Sequence, residues 1–243
     1  MATAPAVTVL LTGFEAFDKE PINSSWLVAR ALNSTTVSFG KTSVGKRADG
    51  KPSAGRGRTR QQALIIARQL PCEFDRSRLA LARLVKRLDP DLVIVLGQAN
   101  SRPDFSVERV AININDARIK DNVGAKPVDT SVIAGAPAAY FSRLPIKAIV
   151  QAVRAAGIPS SVSQTAGTFV CNHVFFGLMH LLATDYTRKR GGFIHVPPLP
   201  EQAARLPGTA SLGLDTLVQA TRIAIATSLS VLRDRRISDG AVD

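Results

Sequence analysis

Apolar residues follow two patterns along this chain: short dense blocks of Val, Ile and Leu, and longer stretches where they recur every three or four positions. The dense blocks lie at 7–11, 62–70, 92–96 and 193–196. Thr12-Gly13, Pro71, Gly97 and Pro197-Pro198 close them in turn. Blocks of this kind predict strands buried on both faces. The periodic stretches predict helices over about 25–32, 76–88, 146–156, 172–182 and 214–233. In the second of these, Leu81, Leu84, Val85 and Leu88 form one stripe, with Asp75 placed to cap it and Asp89-Pro90 to end it. Residues 109–115 alternate apolar and polar, which suits a strand with one exposed face, and 161–164 reads as a short strand. Strands alternating with helices predict an α/β fold, a mostly parallel twisted sheet with helices on both faces. At 243 residues the whole chain, 1–243, fits one such domain.

One segment fits neither pattern. Residues 39–60 are rich in Gly, Ser, Lys and Arg and bury no face, so about 40–60 reads as a flexible basic insertion. Lys41, Lys46, Arg47, Lys51, Arg56, Arg58 and Arg60 stand there against Asp49 alone, half of the chain's net charge of +12. Such an excess raises nucleic acid as a partner. The segment has no aromatic residue to stack a base, however, and no known nucleic-acid-binding module, so a solvated loop is the better reading. No apolar run approaches the roughly 18 residues of a membrane span, and the N-terminus lacks the basic start of a secretion signal. Two cysteines, Cys72 and Cys171, cannot build a disulfide framework, and a reducing cytoplasm is the expected location.

Candidate chemistry collects at 165–182, TAGTFVCNHVFFGLMHLL. Small and hydroxyl residues make a turn, and the helix that follows starts near Cys171. Free N–H groups and the macrodipole at a helix start stabilise a thiolate, the reactive form of cysteine. An unpaired cysteine is also often a plain buried hydrophobe, and the local sequence leaves both readings open. A nucleophilic cysteine needs a base within hydrogen-bond reach and a group to orient that base. Of three histidines, His173 lies two residues from Cys171, a spacing that does not bring side chains together on a helix. His180 is more than two turns away. His195 comes from a separate strand end and has no rival. Glu108 is the acid nearest the loop after 92–96, but beside Arg109 it could equally form a surface ion pair.

The blocks LLTGFEAF (10–17), VLGQANSRPDFSVERVAININDARIKDN (95–122), SQTAGTFVCNHVFFGLMHLL (163–182) and GGFIHVPPLPEQ (191–202) together resemble the pyrrolidone-carboxylate peptidases, the type I pyroglutamyl peptidases. The likeness covers nearly the whole chain except the basic segment. It implies a cysteine peptidase that removes an N-terminal pyroglutamate without metal or cofactor. By the same resemblance Cys171 is the nucleophile, His195 the base and then the acid, and Glu108 the orienting carboxylate. Arg118 and the backbone N–H of Cys171 are the candidate donors to the developing oxyanion. Phe14, Phe17, Phe169 and Val170 would wall the flat lactam ring, with Gln98 offering it a donor and an acceptor. Partners would be pyroglutamyl peptides and further copies of the chain, as a homotetramer. A cysteine-dependent amidase of another specificity is the alternative.

The sequence departs from the family pattern in its loops. Ala16 and Ser24 stand where prolines are usual, Asp18, Lys19, Asn100 and Ser101 where glycines are, and Lys120 for a further proline. Each leaves the catalytic groups in place but changes the backbone freedom of a loop.

Overall fold

The structure, a computed structural model, describes residues 7–46 and 52–240. In chain order the elements are β1 (Val7–Phe14), α1 (Ser24–Leu32), β2 (Thr36–Lys46), β3 (Pro52–Leu70), α2 (Arg76–Leu88), β4 (Leu92–Gln98), β5 (Phe105–Glu108), β6 (Val110–Ile112), β7 (Ala139–Phe141), α3 (Ile146–Ala155), β8 (Ser160–Ser163), α4 (Val170–Thr184), β9 (Arg190–Val196), α5 (Pro200–Ala203) and α6 (Leu214–Ser230). Seven strands form one sheet in the order β2-β3-β1-β4-β9-β5-β8, and β6 pairs with β7 separately. Four neighbouring pairs of the main sheet run parallel, while β2–β3 and β5–β9 run antiparallel.

Side-chain alternation along the central strands divides the core. Val9, Leu11, Ile94, Leu96 and Ile194 face α1, α3 and α6, meeting Val28, Leu32, Ile149, Val153, Leu217 and Ile225. Leu10, Val93, Val95 and Phe193 face α2 and α4, meeting Leu81, Val85, Val174, Phe175 and Leu178. All seven residues of β4 are buried, as its dense block demands. Each large side chain so buried contributes about 1.5–3 kcal/mol, so this two-sided core dominates the favourable side of folding.

Three expectations are corrected. The segment about 40–60, expected as a flexible loop, is strand where it is described: β2 and β3 pair antiparallel from Thr36↔Leu64 outward to Lys46↔Pro52. Strand pairing is a backbone property and asks for no apolar periodicity, which is why the pattern missed it. The centre of that call, residues 47–51, lies outside the described residues. The strand expected over 109–115 is shortened to β6 (Val110–Ile112), which pairs with β7 outside the main sheet, while β5, just before it, belongs to the main sheet. Asp75 does stand at the start of α2, but its backbone is left-handed (φ 54°) and its side chain caps nothing. Its carboxylate pairs with Arg78 instead.

Candidate active site

Strand register builds the site on the α4 face of the sheet. On β9, His195 lies opposite Gly97 of β4 on one side and opposite Ser106 of β5 on the other. Glu108 is two residues beyond Ser106, so it shares a face with His195 as its diagonal neighbour. Its carboxylate accepts from the imidazole: Nδ1 of His195 is 2.7 Å from Oε1. Glu108 is fully buried and His195 is 4 % exposed, so this pair is shielded from water. A surface pair of Glu108 with Arg109 is thereby ruled out; the second cation near Oε1 is Arg102, at 3.5 Å.

Cys171 reaches the same place from the helix side. It is the second residue of α4, partly exposed, and its sulfur is within hydrogen-bonding reach of His195. The first helical bond is donated by His173 N to Phe169 O, so the N–H groups of Val170, Cys171 and Asn172 have no acceptor within the helix. Burial alone would push the His195 imidazole down. The negative charge and hydrogen bond of Cys171, with those of Glu108, outweigh it and hold His195 up at about 9. The arrangement therefore favours the imidazolium form of His195.

His173 is held differently. Its Nε2 accepts the backbone N–H of Asp75 at 3.1 Å, which places its proton on Nδ1, the donor to Asn115 Oδ1 at 2.9 Å. Burial pushes it down to about 4, with Asp75 opposing and Arg78 assisting. It joins α4 to the start of α2 and takes no part in the Cys171 cluster. His180 contacts Tyr140, with 3.0 Å between Nδ1 and the phenolic oxygen.

The other candidates divide. Phe17 and Phe169 form a half-buried aromatic pair, 6.3 Å between centroids, beside the start of α4. Phe14 and Val170 are almost fully buried and back this wall from the core, with Phe14 against Phe193. Gln98 is held by the fold: Oε1 accepts from Ser24 N at 2.7 Å and from Gln202 at 3.2 Å, and Nε2 donates to Asn100 at 3.0 Å. It joins the end of β4 to α1 and α5, and one N–H of its amide has no partner among these bonds. Arg118 is exposed, on a loop whose Asp116 exchanges hydrogen bonds with Thr168 just before α4.

Three residues that shape the site escaped sequence reading. A Cβ on Gly97 would lie 2.6 Å from the Phe193 ring and 3.0 Å from Cys171 Sγ, so only glycine lets helix and strand close here. Phe193 in turn packs on His195, 4.8 Å between centroids. Asn172 exchanges hydrogen bonds with Ile112 and donates to Ile114 O, holding β6 against the helix start. The glycine that closes the 92–96 block was the available signal for the first; the others carry none. Of the loop departures, Asp18 and Lys19 do adopt left-handed backbone, φ 52° and 64°, where a glycine would be unstrained.

A family model, Peptidase_C15, pyroglutamyl peptidase, matches residues 7–231. The pyrrolidone-carboxylate peptidase of Cupriavidus taiwanensis is 54% identical over 234 residues, covering 96% of this chain and 98% of that one. Pyrrolidone-carboxylate peptidase 1 of Ralstonia nicotianae is 52% identical over the same shares of both chains. Among solved structures, the pyroglutamyl peptidase I of Bacillus amyloliquefaciens superposes with a TM-score of 0.82 at 39% identity, over 96% of this chain and 99% of that one. Taken with the Cys171, His195 and Glu108 arrangement, these matches establish that the chain belongs to the pyroglutamyl peptidase family.

Proposed function

We propose that this protein is a cysteine peptidase that removes an N-terminal pyroglutamate from peptides, with Cys171 as nucleophile, His195 as proton carrier and Glu108 as orienting carboxylate. The observation that carries the reading is the buried Glu108–His195 pair with Cys171 in reach of the same imidazole, in a chain of this family. The Cys171 thiolate attacks the carbonyl joining the lactam to the next residue. The oxyanion formed takes hydrogen bonds from the free N–H groups at the start of α4, with Arg118 as the second donor. The His195 imidazolium gives its proton to the departing amine, leaving a thioester between Cys171 and the pyroglutamyl group. His195, now neutral, takes a proton from water; the hydroxide so formed attacks the thioester and releases pyroglutamate. Glu108 holds Nδ1–H, so Nε2 faces the sulfur and the leaving group throughout.

Phe17 and Phe169 give the ring an apolar wall, and Phe14 and Val170 support it from behind. The lactam is flat and lacks the charged amine that most exopeptidases bind, so an aromatic slot suits it. The same reading places the protein in the cytoplasm as a homotetramer. Two unpaired cysteines suit a reducing compartment, and exposed Val123, Val128 and Phe141 are apolar side chains that an interface would cover. No helix among the described residues is long and apolar enough to cross a membrane.

The test is hydrolysis of a pyroglutamyl chromogenic amide beside the prolyl and alanyl equivalents, with Cys171→Ala and Cys72→Ser variants. Turnover of the pyroglutamyl amide alone is expected, lost in Cys171→Ala and largely kept in Cys72→Ser. Equal cleavage of the prolyl amide would point to an amidase of broader specificity.

A further inference from the structure

We infer that Arg102 is a positioning residue, whose guanidinium is the fixed counter-charge that keeps the buried Glu108 carboxylate ionised and aimed at His195. This rests on the roles given above to Cys171, His195 and Glu108. Arg102 ends the loop after β4, its backbone N–H donating to Ala99 O at 3.1 Å. Its Nη2 donates to Ser163 Oγ at 2.8 Å and to Thr165 O at 2.6 Å, where the chain leaves β8 toward Cys171. The two hydrogens of Nη2 are thus fixed by neutral acceptors, and the same nitrogen stands 3.5 Å from Glu108 Oε1. That oxygen also takes the His195 proton. One cation therefore ties together the carboxylate, the exit of β8 and the turn that delivers the nucleophile.

The carboxylate needs such a partner. Glu108 is fully buried, and its Oε2 has no hydrogen-bond partner. A buried carboxylate with one bare oxygen is costly to keep charged, and it protonates unless a cation stands nearby. The elements around it offer few. From β9 comes His195, from α4 comes Cys171 acting through the imidazole, and β8 contributes the neutral Ser163. Arg109 is adjacent in sequence but forms no ion pair with Glu108 among the described residues, which leaves Arg102 as the permanent charge.

Iodoacetamide alkylation of Cys171 against pH tests this without any substrate, because only the thiolate reacts. Removing a positive charge from the cluster makes every group in it easier to protonate, so the acid limb of the alkylation profile should move up in Arg102→Gln, by about 0.5–1 pH unit. Arg102→Lys keeps the charge but not the double donation, so its acid limb should stay at the wild-type position. On the pyroglutamyl amide, kcat should fall about 10–100-fold in Arg102→Gln with KM within about twofold. An unmoved acid limb in Arg102→Gln, or kcat falling only in step with the melting temperature, reduces Arg102 to a structural clamp and overturns the proposal. A shifted limb in Arg102→Lys overturns it whether or not the Gln variant folds. If the wild type leaves the pyroglutamyl amide intact, the substrate reading fails, while the alkylation profile still decides the role of Arg102.

Discussion

His195 and His173 are equally buried, at 4 % and 2 % exposure, and both approach the start of α4, yet they settle in opposite charge states. His195 is held up at about 9 and His173 pushed down to about 4. Burial acts in the same direction on both, against the charged form. The difference lies in what each ring nitrogen meets. The hydrogen-bond partners of His173 are a backbone N–H and an amide oxygen, neutral groups that fit the uncharged ring and fix its tautomer. The exposed Asp75 carboxylate, 3.7 Å away and itself paired with Arg78, does not offset burial. His195 meets a carboxylate at 2.7 Å and the sulfur of Cys171, which favour the imidazolium. Partner charge, and not depth, decides which histidine can carry protons at neutral pH.

The largest expected effect breaks the pair apart by activity. His195→Ala should abolish turnover, and Glu108→Gln should lower kcat by about 10²–10⁴-fold with a smaller change in KM. His173→Gln should keep turnover within about tenfold wherever it folds. Steady-state kinetics of the three variants, each with a thermal melt, check this ordering. Near-normal turnover in Glu108→Gln beside an inactive His195→Ala would reduce the triad to a Cys–His dyad.

A second expectation concerns the alkaline side. The His195 imidazolium is both counter-ion to the thiolate and acid to the leaving amine, so kcat/KM should decline as pH rises through about 9. Because the folded pKa is raised, its contribution to stability is complete below the unfolded value of about 6.5 and is lost as pH climbs from there through 9. Glu108→Gln removes a charge that raises the imidazole, so it should move the alkaline limb to lower pH. A limb in the same place in that variant would mean Glu108 does not set the proton affinity of His195.

The smallest effect, confined to stability, belongs to His173. Its folded pKa is depressed, so the unfolded chain binds a proton that the folded one refuses between about 6.5 and 4. Stability should fall across that window by about 3 kcal/mol and level off below it. His173→Gln has no such proton to bind. Melting curves from pH 7 to 4 should therefore decline less steeply for the variant, once each is referred to its own value at pH 7. Parallel declines would show that His173 is free to protonate in the fold.

The separation of these two histidines was partly legible in the chain. Spacing alone excluded His173, because a residue two positions on from Cys171 turns to another side of the helix, and the structure places it against Asn115 and Asp75. Dense apolar blocks located β1, β4 and β9, and the periodic stretches located α1, α2, α3, α4 and α6, because burial on both faces or on one stripe leaves a direct imprint on residue type. Cys171 at a helix start and His195 at a strand end followed from those elements. The antiparallel placing of β5 beside β9 left no such imprint, since a short buried strand reads alike in either direction, yet that register carries Glu108 to His195. The antiparallel pairing of β2 and β3 is a backbone property that side chains do not announce. Gln98 offered free polar groups on paper, and only the fold decided that Ser24, Gln202 and Asn100 would use them. Local pattern fixes elements because it records each residue's exposure to water; which buried polar groups find one another depends on contacts between residues distant in the chain, and those exist only once the sheet has closed.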